Sequence, residues 1–207
     1  MTVFHRRALG ILGGRTSAAI AVFRELQQYH KSNGVEYELQ LPFGGESMRM
    51  ALAARFPSVA DVQKYFLKVM ADQAFLDLAA KNAQNVISGS SRDDLWRQVF
   101  GPAQPSAGAL MHARIMGVLP GRLTYSAGIM KELVDYLAAS GVGYVGLSPF
   151  AVGDPMRVAL AARFAGAGEL DAFSTKIMAD PKWQEIVARN AFNLVPGSMS
   201  DHMWITI

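Results

Sequence analysis

The sequence of 207 residues contains no cysteine, which excludes disulfide bonds and thiolate chemistry. It also contains no apolar run near the roughly 20 residues that a membrane-spanning helix needs. Charged residues interrupt the apolar stretch close to the first residue, unlike the layout of a signal peptide. We therefore expect no membrane span, no secretion signal and a cytoplasmic location.

Clusters of positive charge and of metal ligands are scarce as well. The net charge of +3 comes from scattered lysines and arginines, so nucleic-acid binding is not expected. The four histidines lack the spacing of metal ligands, and although His112 and His202 could meet across neighbouring strands, we expect no metal. The segment GILGGR at residues 10–15 lacks the lysine and the spacing of a phosphate-binding loop, so it predicts a turn. We expect no bound cofactor, and haem and flavin are left open.

The most prominent feature that is present is an internal repeat. The segment MRMALAARF at residues 48–56 returns as MRVALAARF at residues 156–164. Polar and aromatic residues recur in the same way, with His5, Arg7, Tyr37 and Trp96 returning as His112, Arg114, Tyr144 and Trp204. Two copies of this length indicate a tandem domain duplication and not a solenoid. We predict modules at residues 1–100 and 109–207, joined by a linker at 101–108 that is rich in Pro, Gly, Ser and Ala.

Each module has the pattern of strand, helix, strand, strand, helix and strand. In the first module the predicted strands cover residues 3–12, 35–41, 48–56 and 86–100. Thr16 or Ser17 is the expected cap of the first helix, which ends at Gly34. Ser58 and Asp61 form a capping box for the second helix. That helix is expected to break at Asp72, whose counterpart Asp180 precedes a proline suited to the first helical position.

The breaks at Asp72 and Asp180 belong to a pattern that resembles a known superfamily. An arginine–phenylalanine strand end is followed by a helix and then by Ala-Asp-Pro with an aromatic residue, at Ala179, Asp180, Pro181 and Trp183 and, without the proline, at Ala71, Asp72 and Phe75. The pattern resembles the dimeric α/β-barrel superfamily. That superfamily includes antibiotic-biosynthesis monooxygenases, polyketide cyclases, muconolactone isomerases, NIPSNAP-type proteins and haem-binding chlorite-dismutase relatives.

The resemblance implies an α+β fold. Two ferredoxin-like βαββαβ modules would pair their antiparallel sheets into one dimeric-α/β-barrel-like structure within a single chain. A homodimer formed through other surfaces is possible.

Strand alternation predicts which side chains line a cavity, because successive side chains point to opposite faces. On the repeated strand the bulky row Met50, Leu52, Ala54 and Phe56 should pack on helices. The row Arg49, Ala51, Ala53 and Arg55, with its counterpart Arg157, Ala159, Ala161 and Arg163, should face the cavity. From the first and last strands of the second module we place His112, Arg114, Met116, His202, Trp204 and Thr206 on the cavity side, with Met111, Ala113 and Ile115 toward the helices.

The two modules differ on this cavity side. Glu36, Glu38 and Gln40 can pair with Arg49 and Arg55 in the first module. The same positions in the second module are Gly143, Val145 and Leu147, and Asp94 is replaced by His202. Buried cations without a counter-charge are costly, so an anionic or enolisable ligand is a plausible complement. We expect one working pocket, in the second module.

These residues support an enzyme hypothesis. His202, with His112 nearby, would act as a general base on an aromatic or polyketide-like substrate, since imidazole titrates near neutrality. Arg157 and Arg163 would stabilise an oxyanion. Substrate contacts would come from Arg114, Met116, Val145, Leu147, Ala159, Ala161, Trp204 and Thr206.

The resemblance implies a cofactor-independent monooxygenase acting on a hydrophobic small molecule. The alternatives are a cyclase, dehydratase or isomerase, or a non-catalytic binder of a hydrophobic ligand or haem. Each residue also has a structural interpretation, since a lone histidine is more often a satisfied hydrogen-bonding group than a catalyst.

Overall fold

A computed structural model describes residues 2–43, 48–102, 108–149 and 156–207. The first repeat forms β1 (Val3–Gly10), α1 (Thr16–Ser32), β2 (Glu38–Pro42), β3 (Arg49–Phe56), α2 (Val59–Met70), α3 (Gln73–Ala83) and β4 (Arg92–Phe100). The second forms β5 (Leu110–Gly117), α4 (Leu123–Ala139), β6 (Val145–Pro149), β7 (Arg157–Phe164), α5 (Ala167–Met178), α6 (Pro181–Ala191) and β8 (Ser200–Thr206). The strands form a closed antiparallel barrel in the order β1-β3-β2-β8-β5-β7-β6-β4. The predicted α+β class with paired ferredoxin-like modules is confirmed.

The chain divides into two compact units whose bounds differ slightly from the repeat. Unit 1 contains Met1–Trp96 together with Thr206–Ile207, and unit 2 contains Arg97–Ile205. In unit 1 the backbone N–H of Ile207 donates to the carbonyl of Leu39. In unit 2 a side chain at Gly101 would clash with the backbone of Tyr144, since its Cβ would lie 2.4 Å from that carbonyl oxygen. Of the predicted linker, residues 103–107 lie outside the described residues.

The core of unit 1 lies between its sheet and its helices. The bulky row of β3, namely Met50, Leu52, Ala54 and Phe56, packs with buried residues of α1 and α2 such as Phe23 and Val62. The core of unit 2 repeats this arrangement with Val158, Leu160, Ala162 and Phe164 of β7 against Met130 and Leu133 of α4. The predicted helix-facing row of the repeated strand is therefore confirmed in both units.

The helix breaks follow the sequence prediction. Asp72 and Asp180 are the N-caps of α3 and α6, and each carboxylate accepts a hydrogen bond from the backbone N–H two residues later. Ser58 caps α2, accepting from the N–H of Asp61 at 3.2 Å and donating to its carboxylate. These caps satisfy N–H groups that the first helical turn leaves without intrahelical partners.

Two local predictions were wrong. The N-cap of α1 is Arg15, not Thr16 or Ser17, and it makes no side-chain capping bond. A turn closed by the Arg15 N–H on the Leu12 carbonyl, with Gly14 at φ 74°, leads directly into the helix. β4 begins at Arg92, because Val86 forms only an isolated bridge with Ile11. No helix among the described residues is long and apolar enough to cross a membrane.

Candidate active site

A buried hydrogen-bond network lies on the helix-facing side of unit 2. Nδ1 of His112 is 3.1 Å from the hydroxyl of Tyr144, and its Nε2 is 3.1 Å from Oδ1 of Asp201. Arg114 donates two hydrogen bonds to the same carboxylate, from Nε at 2.7 Å and from Nη2 at 2.8 Å. An ionised carboxylate only accepts, so Nε2 of His112 carries the hydrogen and Nδ1 accepts from Tyr144.

Unit 1 contains the same network with nearly the same distances. Nδ1 of His5 is 3.0 Å from the Tyr37 hydroxyl, and Nε2 is 3.1 Å from Asp93. Arg7 donates to both oxygens of Asp93, at 2.7 and 2.8 Å. The four residue types are thus duplicated as one network. Hereafter it is called the Tyr–His–Asp–Arg network.

The electrostatics of the network keep each group in one protonation state at neutral pH. The hydrogen bond from His112 and the interaction with Arg114 outweigh burial and hold the pKa of Asp201 well below its usual range. Burial acts to raise the pKa of Asp93, but hydrogen bonds from His5 and Arg7 prevail and lower it strongly. Burial raises the pKa of both tyrosine hydroxyls above the usual value. The tyrosines therefore remain donors.

The network was missed as a unit by sequence reasoning, although each residue was visible in the repeat. His5 and Tyr37 are separated by 32 residues, as are His112 and Tyr144. The spacings from histidine to aspartate are 88 and 89 residues. Polar residues repeated together at matched spacings could have indicated a shared contact.

In unit 1 a second buried histidine adjoins the network. His30 lies with Nδ1 2.6 Å from the Tyr65 hydroxyl, and its ring centroid is 4.4 Å from that of Tyr37. Burial, with the nearby His5 and Arg7, lowers the pKa of His30 to about 4. Burial also raises the pKa of Tyr65 to about 12.

The corresponding positions in unit 2 are apolar. Leu137 and Phe173 stand where unit 1 has His30 and Tyr65. Both polar partners are therefore replaced together, so that neither leaves a buried polar group behind.

Three predicted site residues lie on the wrong side of the sheet for the predicted pocket. Register pairs His112, Arg114 and Met116 with Ala162, Leu160 and Val158, which belong to the helix-facing core row. Directly opposed residues of an antiparallel pair share a face. The predicted facing of these three side chains was therefore wrong, and His112 and His202, on opposite faces, do not meet. Ala113 and its neighbours Met111 and Ile115 face away from the helices.

The error on β5 has a physical cause. Its two alternating rows both contain large apolar residues, Leu110 and Met116 in one and Met111 and Ile115 in the other. Alternation therefore does not decide the facing. The polar residues of the first row are accepted on the helix side because Tyr144 and Asp201 satisfy them.

The remaining predicted residues share the other face of unit 2, which we call the inner face. Register aligns Arg163 and Ala161 of β7 with Met111 and Ala113 of β5, and these with Trp204 and His202 of β8. Val145 and Leu147 of β6 lie opposite Ala161 and Ala159. Arg157 and Thr206 follow on the same alternating rows of β7 and β8.

Exposure differs along the inner face. His202 is exposed, with Nε2 3.0 Å from the Ser200 hydroxyl, whereas Trp204 is buried. Val145, Leu147, Ala159 and Ala161 are buried as well. Arg163 is partly buried and donates to the carbonyl of Gly108 at 3.1 Å.

The equivalent face of unit 1 is charged. Arg6 donates to Asp94 at 3.4 Å, and Arg92 reaches the same carboxylate at 3.3 Å. Burial lowers the pKa of Arg6 to about 10, although Asp94 opposes this shift. Glu38 lies opposite Ala53, on the row of Arg49 and Arg55 as predicted. Glu36 instead precedes β2 and pairs with Lys31 at 3.5 Å.

A separate open depression lies beside α4 in unit 2. It has a volume of about 490 Å³ and is lined by Gly101, Pro102, Val134, Asp135, Ala138, Gly141 and Gly143. It contains none of the predicted substrate contacts. Among the described residues there is no group of three or more acidic or histidine side chains arranged to hold a metal ion.

Comparison with solved structures identifies the fold. A candidate monooxygenase of Fusobacterium nucleatum superposes with a TM-score of 0.69 at 8% identity, covering 99% of this chain and 92% of its own. A candidate monooxygenase of Lactobacillus acidophilus gives 0.67 at 9% identity, with coverage of 99% and 93%. An anthrone oxidase-like protein gives 0.66 at 11% identity, with coverage of 100% and 91%.

The chain has the dimeric α/β-barrel fold. These structures agree with the eight-stranded antiparallel barrel over nearly the whole chain. No family model and no curated protein matches the sequence. The fold assignment therefore comes from the structure, and it agrees with the resemblance seen in the sequence.

Proposed function

We propose that the protein is a cofactor-independent monooxygenase that acts on an aromatic or polyketide-like small molecule at the inner face of unit 2. The observation that supports this most is the register, which aligns His202 and Trp204 with a row of alanines and Arg163. A base, an aromatic wall, a cation and space for a ring system are the parts that such chemistry needs. The fold is shared with proteins described as candidate monooxygenases and as anthrone oxidase-like.

In this proposal His202 is the general base. It removes a proton from a phenol or from an acidic CH₂ group, because imidazole titrates near neutrality and His202 is exposed. Arg163 and Arg157 stabilise the negative charge on oxygen, and Trp204 stacks on the ring. Arg114 and His112 leave the proposed site, since both are held by Asp201 on the opposite face.

The resulting carbanion reacts directly with molecular oxygen. One oxygen atom enters the product as a carbonyl where the CH₂ group stood. The other oxygen atom leaves as water with the two hydrogens of that group.

Oxygen isotope labelling tests the proposal. The purified protein is incubated with an anthrone or a related phenolic polyketide under labelled oxygen gas, and the products are analysed by mass spectrometry. A product that carries one labelled oxygen supports oxygenation. An isobaric product, or one that has lost water, would replace the proposal with a cyclase, isomerase or dehydratase. A purified protein with a visible haem band and no turnover would indicate a binder instead.

A further inference from the structure

One row across four strands of the inner face is built from small and apolar residues apart from His202 at its end. Ala113 lies opposite both His202 and Ala161, and Ala161 lies opposite Val145. Each strand contributes one residue, so the row spans three strand spacings, roughly 14 Å. The two alanines occupy its middle and leave a trough between His202 and Val145.

The trough has apolar walls on both sides. Trp204 and Met111 lie two residues along the strands in one direction, and Ile115 and Leu147 lie in the other. Met111, Ala113 and Ile115 remain partly exposed even though β5 has a hydrogen-bonded strand on each side. Residues on a central strand keep exposed surface only where the space above them is not filled.

The equivalent row of unit 1 carries charge at three of its four positions. Arg6 lies opposite Ala53, which lies opposite Glu38, and Arg6 donates to Asp94. By the repeat, Arg6 corresponds to Ala113 and Asp94 to His202. A guanidinium paired with a carboxylate therefore occupies, in unit 1, the place that is a trough in unit 2.

We propose that Ala113 determines specificity at the inner face of unit 2, by leaving space for the ring system of a flat aromatic ligand whose acidic edge lies at His202. The inference rests on the proposed function for the choice of this face. The pair Arg6–Asp94 and the pair Ala113–His202 are alternative fillings of one position. Changing only one member would leave a charge without its partner, which is costly in a buried setting.

The test transfers the filling of unit 1 into unit 2. In the variant A113R/H202D, binding of anilinonaphthalene sulfonate, a flat aromatic anion, is measured by fluorescence titration. The affinity should fall about tenfold or more, since a large side chain placed in the trough removes the space for the ring. Unchanged affinity with an unchanged melting temperature would overturn the inference.

An uncharged variant keeps the test decisive if the double variant does not fold. A113M fills the same space without a new charge, and the same loss of affinity is expected. Unaltered probe binding in folded A113M would also overturn the inference. The reciprocal variant R6A/D94H provides the matched control. It should add a second probe site, and a folded protein that gains none contradicts the equivalence of the two rows.

The outcomes separate this inference from the proposed function. Probe binding requires no turnover, so loss of binding in A113R/H202D without labelled product in the wild-type protein supports the trough and rejects oxygenation. Labelled product with probe binding unaffected by A113R/H202D or A113M supports oxygenation and rejects the role of Ala113.

Discussion

The two units share one face of their sheets and differ on the other. On the helix-facing side the Tyr–His–Asp–Arg network is the same in both, with corresponding distances equal within 0.1 Å. On the inner face a charged row with Arg6 and Asp94 in unit 1 corresponds to Ala113 and His202 in unit 2. Duplication retained what the fold of each unit needs. The face that differs is the better candidate for a specific function.

The catalytic comparison predicts the largest difference between the units. Replacing His202 by Ala should lower turnover about a hundredfold or more, the scale expected for a general base. Replacing its counterpart Asp94 by Ala should leave turnover within a few fold. Steady-state kinetics and thermal melting of both variants provide the measurement. Equal losses of turnover would mean that both units work, and no loss in folded H202A would remove the proposed base.

Breaking the shared network should cost both units the same stability. In D93A and D201A, a buried histidine and a partly exposed arginine lose their acceptor, which should lower the free energy of unfolding by roughly 2 kcal/mol in each case. The estimate is below that for a fully buried pair because the two carboxylates are 38% and 40% exposed. Denaturant unfolding measures the change. A loss confined to one variant would show that the network is needed in that unit alone.

Acidification should distinguish unit 1 from unit 2. The pKa of His30 is lowered to about 4 in the folded protein, whereas an unfolded histidine titrates near 6.5. Between these values the unfolded chain binds more protons, so stability is lost as the pH falls through this window.

The expected contribution of His30 is roughly 1 to 2 kcal/mol between pH 7 and pH 5. The variant H30L/Y65F installs the residues of unit 2, and its unfolding free energy should depend less on pH by this amount. The control is H30L alone, which leaves the buried Tyr65 hydroxyl without its partner. The same pH dependence in H30L/Y65F and wild type would contradict the assignment to His30.

The smallest expected difference concerns a helix cap. Ser58 caps α2 through its side chain, whereas the N-cap of α5 is Gly166, which has no side chain to do so. Gly166 has an extended φ of −174°, and no atom lies within 4 Å of a Cβ placed there. The variant G166S should therefore stabilise the protein by a few tenths of a kcal/mol, and S58A should destabilise it by about 1 kcal/mol. Differential scanning calorimetry can compare them, and destabilisation by G166S would contradict the expected cap.

Local signals in the sequence predicted much of the fold. The caps at Ser58, Asp72 and Asp180 and the helix-facing row of the repeated strand are confirmed because each depends on residues within a few positions of one another. The start of α1 was missed because the turn before it determines where Thr16 lies. The facing of His202 and Trp204 follows from the apolar alternation of β8.

The sequence by itself determined that the chain is a duplication of two α+β modules, since repeated segments and helix caps are written in short stretches. Only the tertiary structure decided the facing of β5, where both alternating rows are apolar enough for either side. It also decided that His112, Tyr144, Asp201 and Arg114 form one network. Contacts across 32 and 89 residues depend on strand register, and register is set by the packing of the whole sheet.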